Sequence, residues 1–340
     1  MSDLRFAMIG AGFWSRFQLA GWQELPSAKC VAVCDRSREK SEALAVKFGV
    51  ASVYDDAEKM LNNESLDFVD VVTNVESHAE HVALAAQHGL SVICQKPMAP
   101  SLAIAHEMVR QTRRAGVELL IHENWRWQAP LRRLKEILRS DQLGRVVRAR
   151  IDYANSFPVF DNQPFLKELK QFILTDIGTH ILDTARFLFG EATEVYCQTR
   201  QMREDIAGED VATVMMRMGE GVTVTCNMSY ASRWEFDRFP QTMLAIEGTE
   251  GGVSLGADYE LQIFNRDGAS SERVSIPNYA WADPAYELIH ASIVACHQNL
   301  LGHLRGMRCG ETTGEDNLKS LQLVFAAYES NEKGAVVKIA

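Results

Sequence analysis

The stretch Leu4-Arg5-Phe6-Ala7-Met8-Ile9-Gly10-Ala11-Gly12-Phe13-Trp14-Ser15 decides the fold of the first part of this chain. Its apolar run, residues 4–9, is typical of a buried strand, and it stops at Gly10. A helix is predicted to follow, so the two glycines form the turn between strand and helix. Gly10 permits the tight turn, and Gly12 lets a pyrophosphate approach the backbone at a helix N-terminus. Ser15 takes the place of a third glycine, where a small residue suffices.

Outward from this turn, the first third of the chain alternates apolar runs with helical patterns. Strands are predicted near residues 4–9, 29–34, 53, 68–73, 90–94 and 117–122. Helices are predicted at residues 13–24, 37–48, 57–62, 76–88 and 101–115. Near-continuous apolar strands separated by helices are typical of a parallel sheet covered on both faces. Residues 1–123 are therefore predicted to form a doubly wound Rossmann domain in an α/β protein.

Beyond residue 123 the pattern changes. Strands are predicted at residues 146–153, 194–199, 211–218, 222–228, 242–247 and 260–265, and helices at 131–139, 175–189, 283–304 and 314–331. The glycines at 251–252 and at 268 are interpreted as turns between strands. Consecutive strands without intervening helices favour a large, mainly antiparallel sheet. Residues 124–340 are predicted to form this second α/β domain.

Composition excludes several classes of protein. Of the 340 residues, 35 are Lys or Arg and 45 are Asp or Glu, so the net charge is −10. This balance disfavours binding to nucleic acid or to an anionic membrane. No apolar run approaches the roughly 18 residues of a membrane span, and the start lacks the apolar core of a signal peptide. The seven cysteines form no CxxC pair. We therefore expect reduced thiols in a cytoplasmic protein, and no metal site.

A carboxylate at the end of the second strand points to the ligand of the glycine turn. Asp35 lies 20 residues after Ser15, where an acid can accept hydrogen bonds from an adenosine ribose. The glycine turn alone would also suit S-adenosylmethionine. Together with Asp35 it favours a nicotinamide dinucleotide. Because a carboxylate repels a 2′-phosphate, NAD is predicted rather than NADP, with Arg36 over the adenine.

Two further motifs resemble a known family. Gln95-Lys96-Pro97 follows the fifth strand, and Asp176-Ile177-Gly178-Thr179-His180-Ile181-Leu182-Asp183 lies on the predicted helix 175–189. With the glycine turn and Asp35, they resemble the glucose-fructose oxidoreductase/inositol dehydrogenase (Gfo/Idh/MocA) family over essentially the whole chain. The family usually has Glu-Lys-Pro, so Gln95 is a departure. The resemblance implies a Rossmann domain followed by a domain with a large open sheet, and a homodimer or homotetramer.

The chemistry can be argued from the residues. Oxidising a sugar or polyol hydroxyl requires a hydride acceptor, a base for the proton and a group that stabilises the developing alkoxide. Asp176 and His180 are spaced i, i+4, so a regular helix would place them on one face with Asp183. The resemblance implies that His180 is the base and that Lys96 is the acid or base that positions the hydroxyl. It implies that Asp176 binds substrate and orients His180.

The other candidate contacts follow from these motifs and from the ends of predicted strands. The predicted cofactor-binding residues are Gly10, Gly12, Phe13, Trp14, Asp35, Arg36, Thr73, Asn74, His78, Gln95, Lys96, Asn124 and Gln163. The predicted substrate-binding residues are Lys96, Arg126, Tyr153, Asn155, Asp176 and His180. For Arg126 and its neighbouring tryptophans, packing between domains is an equally good interpretation.

These observations predict an NAD-dependent dehydrogenase acting on a small sugar or polyol. Oxidation of an aldose at C1 to a lactone is favoured. Residues 92–100 and 122–130 resemble bacterial sugar-catabolic members of the family, which makes D-apiose a candidate substrate. An inositol or polyol dehydrogenase is the near alternative. A lyase or glycosidase that recycles its NAD, and a non-catalytic NAD or sugar sensor, are alternatives from other classes.

Overall fold

The computed structural model describes residues 3–233 and 240–339. Contacts divide the chain into two compact units. The first runs to Asn124 and includes Ile293–Leu321, and the second comprises Trp125–Ser292 and the chain from Gln322 onward. The domain division at residue 123/124 stays a prediction. The segment 293–321 packs with the first unit because Thr312 hydrogen-bonds both ways with the backbone of Ile121, at 2.7 and 2.8 Å.

A six-stranded parallel sheet forms the centre of the first unit, in the order β3-β2-β1-β4-β5-β6. Its strands are β1 (Leu4–Ile9), β2 (Ala28–Cys34), β3 (Ser52–Tyr54), β4 (Phe68–Val71), β5 (Ser91–Gln95) and β6 (Leu119–His122). The helices between them are α1 (Ser15–Gln23), α2 (Arg38–Phe48), α3 (Ala57–Asn63), α4 (Val75–Gln87) and α5 (Leu102–Ala115). This is the strand order of the doubly wound dinucleotide-binding fold. The predicted Rossmann fold is confirmed.

An aromatic cluster anchors the middle of this sheet. Phe6 on β1 and Phe68 on β4 stack at 4.9 Å between ring centroids, and Trp22 of α1 packs against both. All three side chains are buried. Burying a side chain of this size stabilises the fold by about 2 kcal/mol. The cluster therefore holds α1, and the turn that precedes it, against the two central strands.

A nine-stranded sheet forms the second unit, in the order β14-β13-β12-β11-β7-β10-β9-β8-β15. Its strands are β7 (Val146–Ala154), β8 (Ala192–Arg200), β9 (Val211–Met218), β10 (Thr223–Ser229), β11 (Met243–Gly248), β12 (Gly251–Leu255), β13 (Glu260–Asn265), β14 (Gly268–Arg273) and β15 (Val337–Lys338). Among the strands described, every neighbouring pair is antiparallel except β7 and β10. The predicted mainly antiparallel sheet is confirmed.

Two of these strands, β12 and β14, were not predicted. The turn interpretation is wrong at Gly251-Gly252, whereas a turn does lie at residues 266–267, just before β14. Gly251 begins β12, and a Cβ there would lie 2.3 Å from the carbonyl oxygen of Phe264 on β13. Glycine therefore lets the two strands approach closely, rather than ending a strand. The second missed strand, β14, begins at Gly268 and is almost wholly exposed. Its residues carry no apolar alternation, so the sequence holds no strand signal there.

The helices of the second part of the chain are α6 (Ala129–Arg139), α7 (Val159–Asn162), α8 (Thr179–Phe189), α9 (Glu287–Leu304) and α10 (Gly314–Lys333). One regular helix was predicted over residues 175–189, and this is corrected. Leu174–Gly178 forms a π-helical turn, and the α-helix begins only at Thr179. Since a π-turn bonds residues i and i+5, α-helical spacing does not apply to Asp176 and His180. The predicted helix 283–304 begins with a 3₁₀ turn, Pro284–Tyr286.

Three properties bear on the excluded classes. Within residues 3–233 and 240–339, no helix combines the length and apolar character needed to cross a bilayer. The same residues contain no cluster of three or more His, Cys, Asp or Glu arranged to hold a metal ion. All seven cysteines are free thiols, and of these Cys309 is exposed.

Candidate active site

The glycine turn of the first unit has the geometry of a ligand cradle. Gly10 has φ +107°, and a Cβ there would lie 2.4 Å from the carbonyl oxygen of Val72. Only glycine fits this position without moving the end of β4. At Gly12, by contrast, a Cβ would meet nothing within 4 Å among the described atoms. The backbone at Gly12 is therefore open to a ligand, just ahead of the helix that begins at Ser15.

The Asp35 carboxylate is held at this turn by two backbone donors. Ala11 N–H donates to Oδ2 at 2.8 Å, and Ser37 N–H donates to Oδ1 at 2.9 Å. These bonds join the glycine turn to the end of β2 and orient the carboxylate. Each oxygen keeps a further lone pair for a ribose hydroxyl. Arg36 is exposed beside it. The contacts of both residues with the cofactor stay predictions.

His78 braces the ends of two neighbouring strands. Its ring is buried, with Nδ1 3.1 Å from the Pro97 carbonyl oxygen and Nε2 3.1 Å from the Thr73 carbonyl oxygen. Burial lowers the pKa of this imidazole. Each ring nitrogen lies within hydrogen-bonding distance of a backbone carbonyl oxygen, and the one that carries the proton donates. The predicted contact of His78 with the cofactor stays a prediction. Ser77, which was not predicted as a site residue, links Thr73 and Asn74 through its hydroxyl at 2.8 and 2.9 Å.

Gln95 ends β5 and Lys96 follows it, and both take part in a buried polar network. Lys96 N–H donates to Gln95 Oε1 at 2.7 Å, and Gln95 Nε2 donates to Gln18 Oε1 at 2.8 Å. Gln18 Nε2 in turn donates to Asp70 Oδ1 at 2.7 Å, and Trp22 Nε1 donates to Asp70 Oδ2 at 2.7 Å. Burial raises the pKa of Asp70 to about 7, opposed by these two hydrogen bonds. Gln95 is therefore bonded within this buried network, and its predicted contact with the cofactor stays a prediction.

Gln18, Trp22 and Asp70 were not predicted as site residues. One signal for Asp70 was present, because it is a charged residue in the apolar run Phe68-Val69-Asp70-Val71-Val72. A strand of a doubly covered parallel sheet is buried on both faces, so a carboxylate within it must find donors. The partners themselves lie 52 and 48 residues away in sequence. No local pattern could have named them.

In the second unit, aromatic packing fixes the ring of His180. The imidazole is 4% exposed, and it stacks on Trp125 with centroids 4.4 Å apart and an interplanar angle of 21°. Trp125 is held by its Nε1, which donates to Thr242 Oγ1 at 2.9 Å. Trp125 also meets Tyr153 edge-on, at 5.9 Å. Trp125 therefore fixes the plane of the His180 ring and also contacts Tyr153, a predicted substrate residue.

Asp176 joins the same aromatic cluster from the π-turn. Tyr230 Oη donates to Asp176 Oδ2 at 3.2 Å, and the Tyr230 ring meets Tyr153 edge-on at 5.9 Å. Burial, with Tyr153 and Asp176 nearby, raises the pKa of Tyr230 well above its usual value, so its hydroxyl stays a donor. The structure thus places Tyr153, Asp176 and His180 around Trp125 and Tyr230. Single π-turns are frequent at functional sites.

Arg126 has a structural partner. Its Nε donates to Asp183 Oδ2 at 2.7 Å, and both side chains are buried. Arg186 approaches the same carboxylate at 3.6 Å. Asp183 lies on α8 three residues after His180, and its carboxylate forms this buried ion pair. The guanidinium of Arg126 is therefore used inside the unit, and this geometry lends no support to its predicted sugar contact.

Three weaker candidates keep their standing as predictions. Asn155 is buried, and its Oδ1 accepts from Phe157 N–H at 3.0 Å. Its Nδ2 has no hydrogen-bond partner among the described residues, which leaves a donor for a ligand. Gln163 is half-buried between α7 and a 3₁₀ turn that starts at Pro164. Asn124 is buried at the end of the first unit.

Comparison with known proteins decides the family. Residues 4–123 match the Gfo/Idh/MocA oxidoreductase family, NAD-binding Rossmann fold, and residues 131–254 match the Gfo/Idh/MocA C-terminal domain. The chain belongs to this family. It is accordingly an NAD-dependent oxidoreductase, with the NAD-binding fold in its first unit.

Named relatives cover nearly the whole chain. A D-apiose dehydrogenase of Paraburkholderia graminis is 43% identical, over 98% of this chain and 89% of that protein. A D-apiose dehydrogenase of Rhizobium rhizogenes is 36% identical, over 100% of this chain and 98% of that protein. An oxidoreductase from Agrobacterium radiobacter, solved in complex with NAD+, L-tartaric acid and magnesium, superposes with a TM-score of 0.97. It is 36% identical and covers 99% of this chain and 98% of that one.

Proposed function

We propose that this protein catalyses the NAD-dependent oxidation of D-apiose at C1 to the lactone. The observation that carries the proposal is the full-length similarity to two D-apiose dehydrogenases, at 43% and 36% identity. The two units contain the groups that such a reaction needs. These are the open glycine turn and Lys96 in the first unit, and Asp176 and His180 in the second.

The residues of the glycine turn fit NAD. Gly12 leaves its backbone open to the pyrophosphate, and the oriented carboxylate of Asp35 can accept hydrogen bonds from the adenosine ribose. When bound, NAD supplies a hydride acceptor at nicotinamide C4. A negative charge at Asp35 disfavours the 2′-phosphate of NADP, so we expect a preference for NAD.

His180 is proposed as the base. Oxidation takes the hydride from C1 with both bonding electrons, and takes the proton from the C1 hydroxyl. A neutral imidazole can accept that proton near neutral pH. The stack on Trp125 holds the ring plane, so the orientation of the ring is set before substrate binds.

Lys96 and Asp176 are proposed to act on the same sugar. The Lys96 ammonium donates to the reacting oxygen and stabilises the negative charge that develops on it. Asp176 accepts from a sugar hydroxyl while Tyr230 holds its second oxygen. Asn155 offers its Nδ2 as a further donor to a hydroxyl. Loss of hydride and proton leaves C1 as the carbonyl carbon of the lactone, so atoms and charge balance.

The test is NADH formation by the purified protein, followed by absorbance with D-apiose, other aldoses, myo-inositol and scyllo-inositol. We expect growth of NADH with D-apiose, and trapping of the lactone with hydroxylamine. NADH growth only with an inositol would replace the aldose by a polyol. Product formation without net NADH would identify a redox-recycling lyase or glycosidase. Binding of NAD and sugar without any product would identify a sensor.

Two further proposals concern the assembly and the location of the protein. We propose a homodimer or homotetramer, in line with the family resemblance, and a cytoplasmic location. Light scattering during size-exclusion chromatography measures the first, and a mass of one chain, 38.1 kDa, would contradict it. Fractionation of the producing cells measures the second.

A further inference from the structure

A directed chain of side-chain amides connects Asp70 to Lys96. Lys96 N–H donates to Gln95, Gln95 donates to Gln18, and Gln18 donates to Asp70, at 2.7, 2.8 and 2.7 Å. We call these three side chains, Asp70, Gln18 and Gln95, the amide relay. Asp70 and Gln18 are fully buried, and Gln95 is 7% exposed. Water therefore has little access to compete for these bonds, and each bond is strengthened by its surroundings.

The charge at Asp70 sets the direction of the whole relay. An ionised carboxylate only accepts, so Gln18 must turn its NH₂ group toward Asp70. Its oxygen then faces Gln95, which must present NH₂ to it. The oxygen of Gln95 is left facing the N–H of Lys96. The orientation of two flexible amides is thus determined from one end.

We infer that Asp70 is a positioning residue for Lys96, acting through the side chains of Gln18 and Gln95. It fixes the acceptor that holds the backbone of Lys96 at the end of β5, and so sets where the side chain of Lys96 begins. The inference rests on the proposed role of Lys96 in the reaction.

The relay predicts that an amide at position 70 will reverse it. In Asp70→Asn, the indole of Trp22 can only donate, so the new oxygen must face Trp22 and the new NH₂ must face Gln18. Gln18 and Gln95 then both turn over. The NH₂ of Gln95 meets the N–H of Lys96, and that hydrogen bond is lost.

A carboxylate at position 95 repairs the reversed relay. In Asp70→Asn with Gln95→Glu, the new carboxylate accepts from the reversed Gln18 and from Lys96 N–H. Gln95→Glu alone, with Asp70 unchanged, disrupts the relay. It places two buried carboxylates at the two ends of Gln18, which has one NH₂ group to offer. Each single variant is therefore expected to be impaired, and the double variant to recover.

The experiment compares the four proteins at pH 8, where Asp70 is ionised. Hydrogen exchange of the Lys96 amide is measured with NAD present, together with kcat and KM for D-apiose. Loss of one hydrogen bond predicts exchange about tenfold faster in each single variant and kcat about tenfold lower, with KM for NAD little changed in Asp70→Asn. In the double variant both values should return to within about threefold of the original.

A matched control removes the other donor to the same carboxylate. Trp22→Phe loses the bond to Asp70 Oδ2, which raises the pKa of Asp70 further. This control and the original protein are therefore compared at a pH above that raised value, where the carboxylate still accepts from Gln18 and the relay keeps its direction. Trp22→Phe should lower the unfolding midpoint while Lys96 exchange stays near the original. Should Asp70→Asn not fold, Gln18→Met interrupts the relay without a new charge and must also speed Lys96 exchange.

The outcomes separate the two proposals. Unchanged Lys96 exchange in Asp70→Asn, or a double variant as impaired as the single ones, overturns the relay. Lys96 exchange that is faster in the single variants and restored in the double variant, in a protein that oxidises no sugar, supports the relay and overturns the proposed function. Faster Lys96 exchange with an unchanged kcat overturns the role of Asp70 in positioning Lys96 for the reaction.

Discussion

Lys96 and His180, the two groups proposed to act on the sugar hydroxyl, are held by different means. In the first unit, Lys96 is held by hydrogen bonds that end on a buried charge. In the second unit, His180 is held by the face of an indole. A hydrogen bond distinguishes a donor from an acceptor, and so it can set the direction of an amide. A stacked ring fixes a plane without distinguishing the two nitrogens of the imidazole.

The two regions therefore tolerate different kinds of substitution. The relay depends on the charge of the Asp70 carboxylate, so an isosteric substitution can reverse its direction even when every contact is kept. The aromatic cluster depends on shape, so a change that keeps ring size keeps the plane of His180.

Removal of the imidazole is expected to have the largest effect. His180→Ala should lower kcat for D-apiose by about a hundredfold or more, because a positioned general base contributes that much. NAD affinity, measured by calorimetry, should not change, because the glycine turn and Asp35 lie in the other unit. The unfolding midpoint serves as the control for folding. Near-normal kcat would contradict the assignment of His180 as the base.

The two glycines of the turn form a matched pair for the first unit. Gly10→Ala should destabilise the fold by about 3 kcal/mol or more, because its Cβ would meet the Val72 carbonyl oxygen at 2.4 Å and φ is +107°. Gly12→Ala should change the unfolding free energy by no more than about 1 kcal/mol, because the added methyl group meets none of the described protein atoms. It should weaken NAD binding, because the methyl group occupies the space through which the pyrophosphate is proposed to approach the backbone. Urea unfolding and calorimetry measure the two effects. Equal destabilisation by both would contradict the cradle.

The buried charge predicts a pH dependence of stability. The pKa of Asp70 is about 7 in the folded protein, against about 3.9 in the unfolded chain. Between these values the folded state holds a proton that the unfolded chain has released. The contribution of Asp70 to stability is therefore complete below pH 4 and is lost as pH rises to 7. The slope reaches at most about 1.4 kcal/mol per pH unit.

Asp70→Asn isolates this slope. The unfolding free energy of the original protein, minus that of the variant, should fall between pH 5 and pH 7 and then level off. All other titrating groups are shared and cancel in the difference. A difference that does not vary with pH would show that Asp70 is ionised throughout, with a pKa near its ordinary value.

The smallest effect is expected at the hydrogen bond that holds Trp125, the residue on which His180 stacks. Thr242→Val removes the acceptor for Trp125 Nε1 and should cost about 1 kcal/mol of stability. It should lower kcat by no more than about twofold, because the indole still stacks on His180. Thr242→Ser keeps the hydroxyl and is the control. A tenfold loss of kcat in Thr242→Val would show that the hydrogen bond sets the position of His180.

The sequence predicted the parts of the molecule that local patterns determine. The alternation of strands and helices in the first unit follows from its apolar runs, and the turn at Gly10 follows from its position after the first of them. The π-turn at Leu174–Gly178 could not be predicted, because its residues suit a regular helix equally well. The relay could not be predicted either, since Gln18, Asp70 and Gln95 are brought together only by the folded sheet. The ion pair of Arg126 could not be predicted, because its partner, Asp183, lies 57 residues away.

The composition of edge strand β14 affects the tendency of the protein to aggregate at high concentration. The nine-stranded sheet is open, so each of its two edges presents backbone groups that could pair with a strand of another molecule. One edge is β14, Gly-Ala-Ser-Ser-Glu-Arg, and the other is the two-residue β15. A polar strand and a very short one are poor templates for a foreign strand. The composition that hid β14 from sequence analysis thus protects the sheet against edge-to-edge aggregation.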